Sequence, residues 1–155
     1  MPIDPTFEPT IIGFTCYLCS NHGANMKGIK QLRHPANVRL VRMLCSARME
    51  PDHFLKAFAS GADGIVITGC HPGNTHYAEQ KSKMLRRYSL MQRLLVQMGI
   101  EPERLRLVWQ IAGEASRLAE EMDRLIEDVN RLGPLERPAS QQAKKVLDVT
   151  QLQHA

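Results

Sequence analysis

The chain has 155 residues, of which 43% are hydrophobic and 23% charged, and its formal net charge is +4 at pH 7. This length suits one domain with its own core, and no stretch approaches the roughly 20 apolar residues that a membrane-spanning helix needs. An aromatic fraction of 5%, with basic residues interspersed among acidic ones, argues against a nucleic-acid-binding protein.

The first half of the chain is predicted to alternate strands and helices. Residues 1–9 contain three prolines and are predicted to form an extended arm. The apolar run that follows predicts a first strand ending at Cys16, and a helix is predicted from about Asn25 to Arg33. A second apolar strand is predicted from Val38 to Cys45.

A second helix is predicted to begin at Pro51, since proline is favoured at the first helical position, and to stop at Gly61. The third strand is predicted over Gly64–Cys70. Apolar residues at three- and four-residue spacing then predict a longer helix, closed by Gly99. Its basic run, Lys81 to Arg87, is predicted to be a solvated face. The predicted apolar face of this helix comprises Leu85, Tyr88, Met91, Leu95 and Met98.

A fourth strand is predicted from Leu105 to Ile111, followed by an amphipathic helix that ends at Gly133. Strands and helices thus alternate with connections too long for hairpins. This alternation predicts an α/β domain over residues 10–134, with a four-stranded parallel flavodoxin-like sheet of order 2-1-3-4 and helices on both faces. Residues 135–155 are predicted to be a polar tail with one short helix.

All four cysteines are predicted to lie at the carboxyl edge of this sheet, where open α/β sheets bind ligands. The amino terminus shows no signal sequence, so we expect a cytoplasmic location, where cysteines serve as metal ligands or redox thiols more often than as disulfides. Since strands lie about 4.8 Å apart, short loops can bring the four thiolates around one inorganic centre. These cysteines are Cys16, Cys19, Cys45 and Cys70.

Spacing alone leaves three interpretations open, of which the first is favoured. Four thiolates suit an iron-sulfur cluster. They also suit a structural zinc ion, although such sites usually contain two C-x-x-C pairs and this chain has one. A thiol-disulfide redox protein would use Cys16 and Cys19 alone, which leaves Cys45 and Cys70 unexplained. No paired carboxylates, nucleophile elbow or phosphate loop is present, so no independent catalytic site is predicted.

Four ordered motifs resemble one known family. They are FTCYLCS from Phe14, VRLVRMLCSAR from Val38, the segment from GADG at Gly61 through GCHPG at Gly69, and GIEPERL from Gly99. Together they resemble the delta subunit family of methyl-viologen-reducing hydrogenase, whose members are iron-sulfur proteins associated with heterodisulfide reductase, over about residues 10–134.

The resemblance implies a function as a non-catalytic electron-transfer subunit. It implies a [2Fe-2S] cluster, held here by the four cysteines. Such a subunit relays single electrons between a hydrogenase or formate dehydrogenase and the flavin-containing component of a heterodisulfide-reductase-like complex. The expected partners are therefore those two proteins, with no nucleic acid and no membrane.

The chain departs from the family pattern at two positions. The family often has a cysteine where this sequence has Thr15, and another where it has Thr75. If Thr75 occupies a ligand position, His71 or His76 would have to replace the missing thiolate.

Overall fold

A computed structural model describes residues 6–16, 37–70, 78–110 and 115–136. Within these ranges the sheet has four parallel strands in the order β2-β1-β3-β4. The predicted fold class and strand order are thereby confirmed. The strands are β1 (Ile11–Cys16), β2 (Val38–Met43), β3 (Gly64–Cys70) and β4 (Leu105–Gln110).

The first described helix begins and ends at local sequence signals. It has proline at its first position and a capping box between Glu50 and His53, and after it Gly61 adopts a positive φ of 114°. No helix in the described ranges is long and apolar enough to cross a membrane. The predicted helix at 25–33 and the tail helix lie outside the described residues. The helices are α1 (Pro51–Ala59), α2 (Ala78–Gln97) and α3 (Ala115–Leu132), with short 3-10 helices at Ser46–Arg48 and Pro102–Arg104.

The two faces of the sheet carry separate apolar cores. Helices α1 and α2 cover one face, where Phe14 meets Phe54 edge to face with ring centroids 6.1 Å apart. Helix α3 covers the other face. The side chains of successive β3 residues lie on alternate faces of the sheet. Ile65 and Ile67 therefore pack in the first core, while Val66 packs in the second. Helices on both faces are therefore confirmed.

The apolar face of α2 is partly different from the predicted one. Met91 and Leu95 are fully buried, as predicted. The prediction is wrong at Leu85, which is 39% exposed, and at Met98, which is 57% exposed and lies beyond the end of the helix. Met84 is buried instead, because it lies two turns before Met91 on the stripe that a 3.6-residue period turns toward the sheet.

A buried arginine organises the amino edge of the sheet. The side chain of Arg104 is 1% exposed, and its Nε donates to Oε2 of Glu101 at 2.7 Å. Its two terminal nitrogens donate to the carbonyl oxygens of Asp63, at 3.1 Å, and Gly133, at 2.9 Å. Partial burial raises the pKa of the Glu101 carboxyl, but hydrogen bonds and the charge of Arg104 outweigh burial and hold that pKa below its ordinary value.

The carboxylate of Asp63 extends this junction. One oxygen accepts the backbone N–H of Thr10 at 3.0 Å, and the other accepts the backbone N–H of Leu135 at 3.4 Å. These bonds tie the residue before β1 and the segment after α3 to the start of β3. The edge opposite the cysteines is therefore held by buried polar contacts.

Candidate functional site

The two central strands separate at their carboxyl ends. Strand β1 pairs with β2 as far as Cys16, and β3 pairs with β4 as far as Cys70. Pairing between β1 and β3, in contrast, stops at Phe14 and Ile67. Since the strand order reverses between β1 and β3, this opening is the crevice in which parallel α/β sheets bind ligands.

The hydroxyl of Thr68 spans the gap where the sheet pairing stops. The backbone N–H of Cys16 donates to Thr68 Oγ1 at 3.1 Å, and Oγ1 donates in turn to the carbonyl of Phe14 at 3.3 Å. Thr68 is 1% exposed, so these bonds are shielded from water. The hydroxyl therefore fixes the end of β1, and with it the position of Cys16.

We expect Thr68→Val to destabilise the fold by about 1–3 kcal/mol, because it removes the buried hydroxyl that accepts from the Cys16 N–H. Hydrogen exchange of the Cys16 amide should become faster than in the unmodified protein. Thr68→Ser is the matched control, since it keeps the oxygen and should keep that amide slow to exchange. A slowly exchanging Cys16 amide in Thr68→Val would contradict this role.

The thiols of Cys16 and Cys45 meet at the carboxyl edge of the sheet. Cys16 is 1% exposed, and its thiol donates to the carbonyl of Leu44 with sulfur and oxygen 3.6 Å apart. It also interacts with the thiol of Cys45, which is partly exposed. No disulfide joins these two described cysteines. The structure thus brings together two of the four predicted ligands.

The chain approaches Cys45 differently from the prediction. Strand β2 ends at Met43, so the predicted strand end at Cys45 is wrong by two residues. The cause is a bend at Leu44, after which Cys45 caps the 3-10 helix Ser46–Arg48. Cys45 therefore belongs to a loop at the carboxyl edge, and not to the regular sheet.

The environment of Cys45 contains groups that act on its charge in opposite directions. Burial raises the pKa of the Cys45 thiol, and the neighbouring Cys16 raises it further. The backbone amide of Ala47 and the charge of Arg48 lower it, though the net shift is upward. A backbone amide and a cation beside the sulfur are the kind of partners that stabilise a metal-bound thiolate.

The other predicted ligands are described only in part or not at all. Cys70 is the last residue of β3, so its backbone lies at the same edge, and its side chain is outside the described part of the chain. Four further residues of the predicted site also lie outside the described part of the chain: Cys19, His71, Thr75 and His76. Among the residues that are described, no group of three His, Cys, Asp or Glu is arranged to hold a metal ion.

Thr15, the other departure from the family pattern, does lie within the described residues. It is 5% exposed, and its hydroxyl donates to the carbonyl of Val41 at 3.4 Å. In this chain the position therefore serves to join β1 to β2.

One residue that contacts the Cys45 loop was missed by the sequence analysis. The predicted solvated run Lys81–Arg87 ends in a side chain that is only 30% exposed. The guanidinium of Arg87 donates to the carbonyls of Ala47 and Met49, in the loop that carries Cys45. Its position three residues after Met84 in the helix, close to the buried stripe, is the signal that could have identified it.

Comparison with known proteins identifies the family. Residues 11–133 match the family model described as methyl-viologen-reducing hydrogenase, delta subunit. The chain is 41% identical over 128 residues to the iron-sulfur subunit of the F420-non-reducing hydrogenase of Archaeoglobus profundus, covering 83% of this chain and 93% of that protein. It is 38% identical over 128 residues to the vhc iron-sulfur subunit of the same kind of hydrogenase in Methanococcus voltae, covering 83% and 89% of the two chains.

A longer relative contains a similar segment. The chain is 32% identical over 127 residues to a large polypeptide of the ferredoxin/F(420)H(2)-dependent CoB-CoM heterodisulfide reductase of Methanosarcina acetivorans, covering 82% of this chain and only 16% of that protein. The likeness therefore extends to a part of a much larger polypeptide as well as to separate subunits. On the match to residues 11–133 and the identity to the shorter relatives, the chain belongs to the methyl-viologen-reducing hydrogenase delta subunit family.

Proposed function

We propose that this chain is an electron-transfer subunit that relays single electrons through one [2Fe-2S] cluster. The observation that carries the proposal is the contact of the Cys16 and Cys45 thiols at the carboxyl edge of the sheet, after β1 and β2. Thiolates are the usual ligands of such clusters. The names of the relatives, which include iron-sulfur subunits, support this cofactor. The proposed ligands are Cys16, Cys19, Cys45 and Cys70.

The described residues suit the task of holding a cluster near the protein surface. A bound cluster supplies one-electron chemistry. Cys16 would bind on the buried side, where water is excluded. Cys45 would bind on the partly exposed side, where the amide of Ala47 and the charge of Arg48 stabilise negative charge on sulfur. This asymmetry would place the shorter electron path to a partner on the Cys45 side.

The proposed partners are a donor of the hydrogenase or formate dehydrogenase type and a heterodisulfide-reductase-like flavoprotein as acceptor. Relatives that are named as hydrogenase subunits support the first partner. The likeness to a segment of a heterodisulfide reductase polypeptide supports the second. We assign the relay to residues 10–134, between the predicted arm and the predicted tail. The cytoplasmic location stays a prediction.

The test is anaerobic purification of the full chain, with iron, acid-labile sulfide and zinc assays and an absorbance spectrum. We expect about two irons and two sulfides per chain, with visible bands that bleach on reduction. The reduced protein should also pass its electron to the flavoprotein partner. Stoichiometric zinc would favour a structural zinc site, and a metal-free chain with a reactive Cys16–Cys19 couple would favour thiol-disulfide redox chemistry.

A further inference from the structure

Arg87 of α2 reaches across to the loop that carries Cys45. Its Nη1 donates to the carbonyl of Ala47 at 2.5 Å and to the carbonyl of Met49 at 2.9 Å. Its Nη2 donates to Oε1 of Glu50 at 3.1 Å. One guanidinium thus bonds three residues that follow Cys45 within five positions.

The bonded loop has few backbone hydrogen bonds of its own among the described residues. Its 3-10 helix has two short-range ones, from Arg48 N–H to the Cys45 carbonyl at 3.0 Å and from Met49 N–H to the Ser46 carbonyl at 3.1 Å. The carbonyls at the end of such a helix have no partner within it, and a guanidinium is a strong donor for them. Arg87 therefore completes the hydrogen bonding at the end of this helix.

The same contacts lead to the backbone of Cys45. Ala47, whose carbonyl accepts from Arg87, lies in the 3-10 helix Ser46–Arg48, and the backbone N–H of Arg48 donates to the carbonyl of Cys45 at 3.0 Å. A shift of this short helix would therefore move Cys45. Helix α2 is also the next described element after Cys70 in the chain. Arg87 thus joins α2, the helix that follows Cys70, to the loop that carries Cys45.

We propose that Arg87 is a positioning residue for Cys45, which holds the loop from Cys45 to Glu50 so that the thiol lies against Cys16. The effect of Arg87 on a bound cluster rests on the proposed function, whereas its role in holding the loop does not. A loop without these bonds would leave Cys45 more accessible and its distance from Cys16 less fixed. The side chain does not touch the proposed cofactor, so its action goes through the loop backbone.

The test compares Arg87→Met and Arg87→Lys with Arg93→Met in the full chain, first without metal. Arg93 is an exposed residue six positions further along the same helix, which makes it the matched control. The probe is iodoacetamide, and mass spectrometry follows the alkylation of Cys45 separately from the other cysteines. Amide exchange of β4 reports in parallel whether each variant is folded.

We expect Cys45 to react with iodoacetamide about tenfold faster in Arg87→Met than in the unmodified chain. A change of this size corresponds to the free energy lost when hydrogen bonds from a charged donor are removed. Arg87→Lys keeps the positive charge but lacks the planar guanidinium, so its alkylation rate should lie between those of the unmodified chain and Arg87→Met. Arg93→Met should match the unmodified chain. Equal rates in Arg87→Met and Arg93→Met would overturn the proposal. If Arg87→Met fails to fold, Arg87→Lys decides: a faster rate supports the proposal and an unchanged rate overturns it.

A second readout uses the chain as purified with its metal. Loss of the Arg87 contacts should lower the reduction potential, because the backbone N–H groups of the loop after Cys45 would be held less firmly near the cluster. Arg93→Met should leave the potential unchanged, and an unchanged potential in Arg87→Met would count against the proposal. A chain that binds no iron would refute the proposed function alone, since the alkylation rates would still test Arg87.

Discussion

Arg104→Met is expected to lower the free energy of unfolding by about 2–4 kcal/mol, because it removes a buried charged donor from two backbone carbonyl acceptors. The substitution would leave the carbonyls of Asp63 and Gly133 without the donors that now reach them at 3.1 and 2.9 Å. It would also remove the partner of Glu101. Chemical denaturation with urea measures the change, with a lower transition midpoint and an unchanged slope.

Arg131→Met is the matched control for this prediction. Arg131 forms an ion pair with Asp128 that has the same 2.7 Å separation and the same three-residue spacing as the pair of Arg104 with Glu101. The Arg131 side chain is 71% exposed, however, while that of Arg104 is 1% exposed. We therefore expect a loss of at most about 1 kcal/mol for Arg131→Met. Equal losses in the two variants would show that burial does not decide the contribution of Arg104.

Cys45→Ser and Cys16→Ser are each expected to remove most of the iron and sulfide from the anaerobically purified chain. A serine hydroxyl is a poor substitute for a thiolate, because it is a hard oxygen ligand and these clusters are bound mainly by soft thiolates. The fold should survive in Cys45→Ser, since that residue lies in a partly exposed loop. Iron and sulfide assays measure the loss, and circular dichroism checks that the sheet and helices remain.

Leu44→Ala serves as the control in the same loop. Leu44 is 58% exposed, and its backbone carbonyl, which accepts from Cys16, is unchanged by the substitution. The variant should therefore keep its iron and sulfide. Full cluster content in Cys45→Ser would show that the proposed ligand set is wrong.

The sheet was predictable because its signals are local. Apolar runs such as Gly64–Cys70 are the pattern of buried parallel strands, and Pro51 and Gly61 bracket a helix by their backbone preferences. Regular alternation of these elements then restricts the topology, since parallel strands need crossover connections. The meeting of Cys16 and Cys45 follows from that topology, because both lie near the carboxyl ends of neighbouring strands.

The roles of Arg87 and Arg104 were not predictable in the same way. Charged residues are usually exposed, so a pattern gives no reason to bury Arg104, and a basic run near Arg87 is typical of a solvated face. Their acceptors lie about 40 residues away in the chain, at Ala47 for Arg87 and at Asp63 for Arg104. Periodicity reports which face of an element is apolar, but it does not report hydrogen bonds between distant segments.

Electron paramagnetic resonance of the dithionite-reduced full chain tests the proposed cluster most directly. A single reduced [2Fe-2S] centre predicts about one unpaired electron for every two irons. The signal should be lost or altered in Cys45→Ser and kept in Leu44→Ala. An iron-free, silent protein, or a signal identical in Cys45→Ser, would contradict a cluster held by Cys16 and Cys45 at the carboxyl edge of the sheet.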